Sequence, residues 1–496
     1  MRFEEVSKRA TAARREGCEV VLVLGLGFVG TAVVANLSRT RQAGRRTFFV
    51  IGLDRDDPPG REKAESLDQG RSPTYADDPS LGGVIAAAAV EPKSVVGTVD
   101  PRCASLADVI VSCINLDLVR QPGQTEALSV PTEGYAAAMR TIGMHMRPRT
   151  LVCVESTLPL GMSDRVIYPA LKEGLRTQGV DVETSPPLLA FCYERVMPGP
   201  NYLDSVNNFW RAYAGIDEES ADRARDFLTK YVNVDKYPLW RHKTIRAAEI
   251  AKLLENSYRA TNIAFIEEWA RLAEDVGVDL FDVIHSVRVR KGTHDNMMLP
   301  GLGVGGYCLT KDALLAAFGA ETLLGVEAKL PFSRRAILTN EAMPVRSVDL
   351  ARRHFGHLAG RKAAILGVTY RAGVADTRSS PSEIVARQLL ASGVEVRAWD
   401  PLVPSWTEVP EAKTCADAAE ALRGADIAVI CLPDAGYGSF LPELLAETMA
   451  PGSIVVDPWN MVADAIGERL SRKGVRLEVF GRGDVPAPRD GAGGSA

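Results

Sequence analysis

The chain has 496 residues, 46% hydrophobic and 24% charged, with a formal net charge of −5. That is the make-up of a globular protein of two to four domains, and its mild acidity excludes the basic face that a nucleic-acid binder needs. No stretch approaches the ~18 uninterrupted apolar residues of a membrane span, and the charged start MRFEEVSKRATAARREG lacks the apolar core of a secretory signal.

Eight cysteines (Cys18, Cys103, Cys113, Cys153, Cys192, Cys308, Cys415 and Cys431) form no CxxC pair and have no zinc-ligand spacing with the six histidines. The expectation is a cytoplasmic protein with reduced thiols and no metal site.

In chain order, the first element predicted is a strand at Glu19–Leu24 (EVVLVL). It runs into Gly25-Leu26-Gly27-Phe28-Val29-Gly30, and a helical run follows from Ala32 to Ser38. This is GxGxxG between a strand and a helix. Gly25 permits the tight turn, Gly27 lets the backbone approach a pyrophosphate, and Gly30 lets the helix pack on the strand. The phosphates would sit on the helix N-terminus. The next strand, Thr47–Asp54, ends in an acid at the distance expected for the ribose-binding residue. A carboxylate there accepts from ribose hydroxyls and repels a 2′-phosphate, so NAD is expected over NADP. Arg55 follows it and is the one neighbour that could tolerate a phosphate.

Strands at Asp108–Ile114 and Thr150–Val154 continue the βαβ pattern. The latter leads into Glu155-Ser156-Thr157-Leu158-Pro159. The apolar run Leu188–Cys192 leads into Tyr193-Glu194-Arg195-Val196-Met197-Pro198-Gly199. Ligands bind outside the carboxyl ends of strands in open parallel sheets. Glu155 and Glu194 are both placed there for base chemistry, and either could be a plain loop carboxylate.

Thr244 to Gly277 reads as one long helix. Lys252 and Asn256 are i and i+4 on it and share a face, where two donors can hold a developing oxyanion. Next comes Pro300-Gly301-Leu302-Gly303-Val304-Gly305-Gly306-Tyr307-Cys308-Leu309-Thr310-Lys311-Asp312. Its glycines let backbone approach a ligand, and a thiol beside a lysine is a candidate nucleophile. The chain then repeats its opening, with strands at Lys362–Val368, Val394–Asp400, Asp426–Leu432 and Ser453–Asp457.

The fold class predicted is α/β: two Rossmann-like doubly wound domains joined by a central helical domain with a long helix. Boundaries are placed as an N-terminal extension at 1–17, an NAD-binding domain at 18–216, a central helical domain at 217–335, a C-terminal Rossmann-like domain at 336–485 and a disordered tail at 486–496.

The order GLGFVG, VESTLP, YERVMPG, AKLLENSYRATNIAF and GGYCLTKD, followed by a second Rossmann half, resembles the UDP-glucose/GDP-mannose dehydrogenase family. The resemblance spans roughly residues 19 to 485. It implies NAD-dependent four-electron oxidation of a nucleotide sugar's CH2OH to a carboxylate. The sugar carbon would give a hydride to a first NAD, and Cys308 would attack the resulting aldehyde. A second hydride transfer would leave a thioester for water to hydrolyse.

Lys252 and Asn256 match the residues that hold the oxyanion and water, Glu194 the carboxylate assisting hydrolysis, and Asp312 the aspartate orienting water or acting as base. Gly25, Gly27, Phe28, Val29, Gly30, Asp54, Arg55, Glu155, Thr157 and Lys311 make up the expected cofactor set. Glu194, Arg195, Lys252, Asn256, Gly305, Tyr370, Arg371 and Arg378 make up the substrate set. The last three come from Gly367-Val368-Thr369-Tyr370-Arg371 and Asp376-Thr377-Arg378-Ser379-Ser380-Pro381, which resemble the nucleotide-binding signature. A homodimer built on the long helix is also implied.

Three positions depart from the pattern. Leu116 stands where many members carry a threonine, Trp459 where an arginine is common, and Tyr307 where His or Ser is usual. ERVMPG and GVGG resemble the UDP-N-acetylhexosamine branch, while Lys311-Asp312 resembles the UDP-glucose and GDP-mannose branches. The substrate expected is therefore a UDP-hexose or UDP-N-acetylhexosamine. Two alternatives stay open: a two-electron hydroxyacid or 6-phosphogluconate-type dehydrogenase, and a non-catalytic nucleotide-sugar binder.

Overall fold

A computed structural model of the chain describes residues 1–74, 78–90, 92–121, 123–197, 199–462 and 464–485. The tail expected at 486–496 lies outside these. The chain divides into two compact units. The first holds Met1–Arg120, Glu126–Glu255 and Leu314–Lys329, and the second Gln121–Thr125, Asn256–Ala313 and Leu330–Ala496.

The first unit opens with α1 (Phe3–Arg15). Val6, Ala10 and Ala13 recur at helical spacing and are buried in the core. Arg14 reaches Asp108 at 2.9 Å, and the terminal ammonium donates to the Gly97 carbonyl at 2.8 Å. The expected N-terminal extension is therefore an integral helix, fixed by an apolar stripe and two polar ties.

The strands are β1 (Glu19–Leu24), β2 (Phe48–Leu53), β3 (Val95–Thr98), β4 (Val109–Ser112), β5 (Leu151–Val154), β6 (Leu188–Phe191), β7 (Ala212–Gly215) and β8 (Trp240–Arg241). They form one sheet in the order β8-β7-β6-β5-β4-β1-β2-β3. Only the β6–β7 pairing is antiparallel. Strands such as β2 are apolar and buried at every position, as a parallel sheet covered on both faces demands. The chain order reverses between β1 and β4, the crevice where such sheets bind ligands.

The first sheet continues past the boundary expected at 216. The helix Glu218–Leu228 buries Ala221, Ala224, Phe227 and Leu228 in the same core as β1 and β2, and β8 ends only at Arg241. The sequence signal there was weak because β7 and β8 are short.

The long helix is α3 (Ile245–Asp275), 31 residues. Thr244 Oγ1 accepts the Ala247 N–H at its start, and Gly277, at φ +74°, lies just beyond its end.

The second unit carries β9 (Lys362–Leu366), β10 (Glu395–Trp399), β11 (Lys413–Thr414), β12 (Ile427–Ile430), β13 (Ile454–Asp457) and β14 (Arg476–Val479), all parallel, in the order β11-β10-β9-β12-β13-β14. The first six strands of the first unit follow the same order, with β7 and β8 extending that sheet beyond β6. Apolar clusters cover both faces of the sheet.

The junction after the first strand is also built twice. The Gly25 and Gly367 N–H groups donate to the Leu53 and Trp399 carbonyls at 2.8 Å each, and both glycines have φ +94°.

Candidate active site

In the first unit, β1 passes through Gly25 into α2 (Phe28–Arg39). A Cβ on Gly30 would lie 1.8 Å from the Gly25 carbonyl oxygen, so only glycine lets the helix sit this close. A Cβ on Gly27 would meet nothing within 4 Å, which leaves the backbone open to a ligand. Gly27 caps α2 with no side-chain hydrogen bond, so the helix's first N–H groups are left for an anion. Asp54 Oδ2 accepts the Leu26 N–H at 2.8 Å, which fixes the acid beside the turn. Phe28 packs against Tyr202 at 4.5 Å. Arg55 is highly exposed and pairs with Asp57 at 3.2 Å. These features fit NAD: a glycine cradle for the pyrophosphate, and a placed carboxylate for the ribose.

Glu155 is a correction. It was expected among the cofactor residues, yet it is fully buried. Its Oε1 accepts from Arg211 at 2.8 Å and from the Tyr231 hydroxyl at 3.1 Å. Its carboxylate is turned inward by a buried guanidinium and is not presented to a cofactor. Sequence reading missed Arg211 because the pair is 56 residues apart. Thr157 is half-buried near the end of β5.

Lys252 is buried and donates to the Glu194 backbone carbonyl at 3.0 Å, so these two expected residues meet in the first unit. The Glu194 carboxylate accepts the Val196 N–H. Arg195 is engaged by Glu255, with its Nη2 at 2.8 Å from Oε2, and it lies over the Tyr193 and Phe209 rings. It therefore ties the loop after β6 to α3. Leu116 is buried in the apolar core of the first unit.

A residue not singled out beforehand is Glu249, one turn before Lys252. It is fully buried and accepts the Gly161 and Ser163 N–H groups at 2.6 and 2.9 Å. It thereby pins the loop after β5 at the start of the helical stretch 163–177. Burial pushes its carboxyl up to about 7.

In the second unit, Asn256 Nδ2 donates to Asp312 Oδ2 at 2.6 Å, and Asp312 is buried. The Cys308 carbonyl accepts the Asp312 N–H at 3.0 Å and the Lys311 N–H at 3.2 Å, in the turn entering α4 (Asp312–Phe318). Cys308 is half-buried, while the other seven cysteines are buried. Lys311 is half-buried.

The glycines before Cys308 press on the loop after β9. A Cβ on Gly305 would lie 2.8 Å from Tyr370 Cβ and Pro381, and one on Gly306 would lie 2.9 Å from the Tyr370 ring. Leu302 is buried among β9-side residues and anchors the segment. Tyr307 donates to Asp376 at 3.2 Å, and Arg378 binds the same carboxylate. Arg371 is exposed. Trp459 packs on Gly301, where a Cβ would lie 2.3 Å from its ring. The indole thus fills the place of the expected arginine with an apolar wall.

The two sheets share the order of their first six strands, and the turn after the first strand is GxGxxG only in the first unit. Comparison with known proteins carries this to a family. Residues 19–227 match the NAD binding domain of the UDP-glucose/GDP-mannose dehydrogenase family, residues 246–341 its central domain and residues 364–464 its UDP binding domain. The chain belongs to this family, and is accordingly an NAD-dependent nucleotide-sugar dehydrogenase.

It is 28% identical over 465 residues to the UDP-N-acetyl-D-mannosamine dehydrogenase of Methanocaldococcus jannaschii, covering 93% of this chain and 96% of that one. It is 31% identical over 357 residues to that of Pyrococcus horikoshii, covering 70% and 76%. A crystal structure of an NDP-N-acetyl-D-galactosaminuronic acid dehydrogenase from Methanosarcina mazei Go1 superposes with a TM-score of 0.76 at 25% identity, covering 97% and 98%. Among the described residues no helix is long and apolar enough to cross a membrane.

Proposed function

We propose that the chain oxidises the C6 hydroxymethyl of a UDP-N-acetylhexosamine or UDP-hexose to the carboxylate, holding the sugar on Cys308 between two oxidations. The observation that carries this reading is the half-buried Cys308. It is joined through its carbonyl to the Asp312 N–H, and Asp312 is hydrogen-bonded to Asn256.

NAD, bound through Gly25, Gly27, Gly30 and Asp54, supplies the hydride acceptor. The alcohol loses a hydride and a proton to become an aldehyde. The Cys308 thiolate adds to the carbonyl carbon, and the alkoxide so formed is stabilised by Lys252 and Asn256. Loss of a second hydride, for which a second NAD would be the acceptor, and of the hydroxyl proton leaves a thioester. Water directed by Asp312 and Glu194 adds to it, the C–S bond breaks, and the thiol is restored. Tyr370, Arg371 and Arg378 of the second unit would take the base and diphosphate of the nucleotide.

The N-acetylhexosamine branch is favoured by ERVMPG and by the substrates after which the relatives above are named. The reading extends to a cytoplasmic enzyme, since eight reduced cysteines suit a reducing compartment. Its product would be a nucleotide uronate for polysaccharide or glycoside biosynthesis. It extends also to a homodimer: Leu254, Tyr258, Phe265, Trp269 and Leu272 lie exposed along α3 at spacings of three, four and seven, a stripe too apolar for a free helix face.

The test is a panel of UDP- and GDP-sugars scored by NADH released per sugar and by product mass. Two NADH and a uronate are expected from a UDP-sugar. One NADH, with an aldehyde or ketone product, would overturn the covalent four-electron reading.

A further inference from the structure

Tyr307 directly precedes Cys308, and its side chain is tied to the nucleotide-binding loop of the same unit. Its hydroxyl donates to Asp376 Oδ2 at 3.2 Å. Arg378 Nη2 donates to that same oxygen at 2.7 Å, and Arg378 Nε to Asp376 Oδ1 at 2.9 Å. The guanidinium carbon also stands 4.6 Å from the centre of the Tyr307 ring. One carboxylate oxygen is thus shared by two donors. A phenol donating to a carboxylate ordinarily closes to about 2.5–2.7 Å. Here the bond is long, and the arginine holds the better position.

Arg378 is also the residue with reason to leave. Its side chain is 61% exposed, against 18% for that of Asp376. A diphosphate offers it paired oxygens of higher charge than a carboxylate. Once Arg378 turns to phosphate, the Tyr307 hydroxyl becomes the sole side-chain donor, among the contacts described here, to a largely buried carboxylate. The Tyr307–Asp376 bond then shortens.

The segment has little slack to absorb that movement. Gly305 and Gly306 are already against Tyr370 and Pro381, the Gly306 N–H donates to the Ser379 carbonyl at 3.3 Å, and the Cys308 carbonyl is held by the Asp312 N–H. Shortening the bond therefore turns the peptide between Tyr307 and Cys308.

We propose that Tyr307 is a positioning residue that couples nucleotide occupancy of the second unit to the setting of Cys308, by competing with Arg378 for Asp376. This rests on reading Cys308 as the nucleophile and Arg378 as a diphosphate ligand. Tyr370 is close enough to both ends to register them. Its hydroxyl is pushed up to about 12, first by burial, then by Asp376, with Cys308 contributing.

The experiment is the rate of Cys308 alkylation by iodoacetamide, mapped by peptide mass spectrometry, with and without UDP. The other seven cysteines are buried, so the reaction is selective in the folded protein. In wild type, UDP is expected to change the rate about fivefold or more. Tyr307→Phe should still bind UDP by thermal shift but lose most of that response, with kcat lowered more than KM. Tyr307→Leu, which also removes the ring under Arg378, should weaken UDP binding as well.

A Tyr307→Phe protein with the full UDP response overturns the proposal. So does a wild-type protein that binds UDP with no change at Cys308, and in that case the dehydrogenase reading stands. Failure of wild type to bind UDP at all would remove the nucleotide reading and the coupling together.

Discussion

Cys308 and Glu249 show what single residues do here. Replacing Cys308 by serine keeps the shape and, on the function proposed above, removes the thiol that would form the thioester. Uronate formation is expected to fall by about a thousandfold or more, with intact mass spectrometry showing no sugar adduct. A near-normal rate would exclude the covalent route. Glu249 makes a pH prediction. Burial raises its carboxyl from an ordinary 4.5 to about 7, so the folded state holds a proton that the unfolded state releases. Its favourable contribution is full below about pH 4.5 and is lost as pH rises to 7, a span worth about 3 kcal/mol at most. Wild type should therefore lose stability relative to Glu249→Gln between these pH values in urea titrations. Parallel curves would refute the shift. Neither Glu249 nor the Glu155–Arg211 pair was legible in the sequence. Each is defined by a partner more than 50 positions away, and no local pattern marks a carboxylate as buried. Cys308 stands out in the sequence as a candidate because its glycines and Asp312 are its near neighbours.

At the scale of elements, legibility followed length and periodicity. The 31-residue α3 was predicted to within two residues at each end. The four-residue β7 and two-residue β8 were missed, since so few residues carry no period and sheet pairing alone creates them. The exposed stripe on α3 gives the prediction that belongs here. Trp269→Glu with Leu272→Glu places two charges on that face without touching Lys252 or Asn256. The double variant should run as a monomer in light scattering where wild type runs as a dimer. A wild-type monomer, or an unaffected dimer, would remove α3 as the interface. The turn into α2 gives another. A methyl at Gly30 collides with the Gly25 carbonyl, so Gly30→Ala must displace α2 or the turn, at a cost of roughly 1–3 kcal/mol.

For the molecule as a whole, two sheets imply two separable ligand responses. At about a hundredfold excess over its Kd, each of NAD and UDP should stabilise the protein by about 2.7 kcal/mol. Gly30→Ala should abolish the response to NAD in a thermal melt and spare the response to UDP. Loss of both would mean that one ligand's site had been misassigned. The α/β class and the two-Rossmann plan were legible because each strand–turn–strand unit carries its own signal. The junction built twice has a meaning beyond binding. Asp54 holds the Leu26 N–H, while Asp400 holds those of Val368, Thr369 and Leu402 and the Thr369 hydroxyl as well. The carboxylate that ends the second strand steadies one turn in the first half and staples a whole loop in the second.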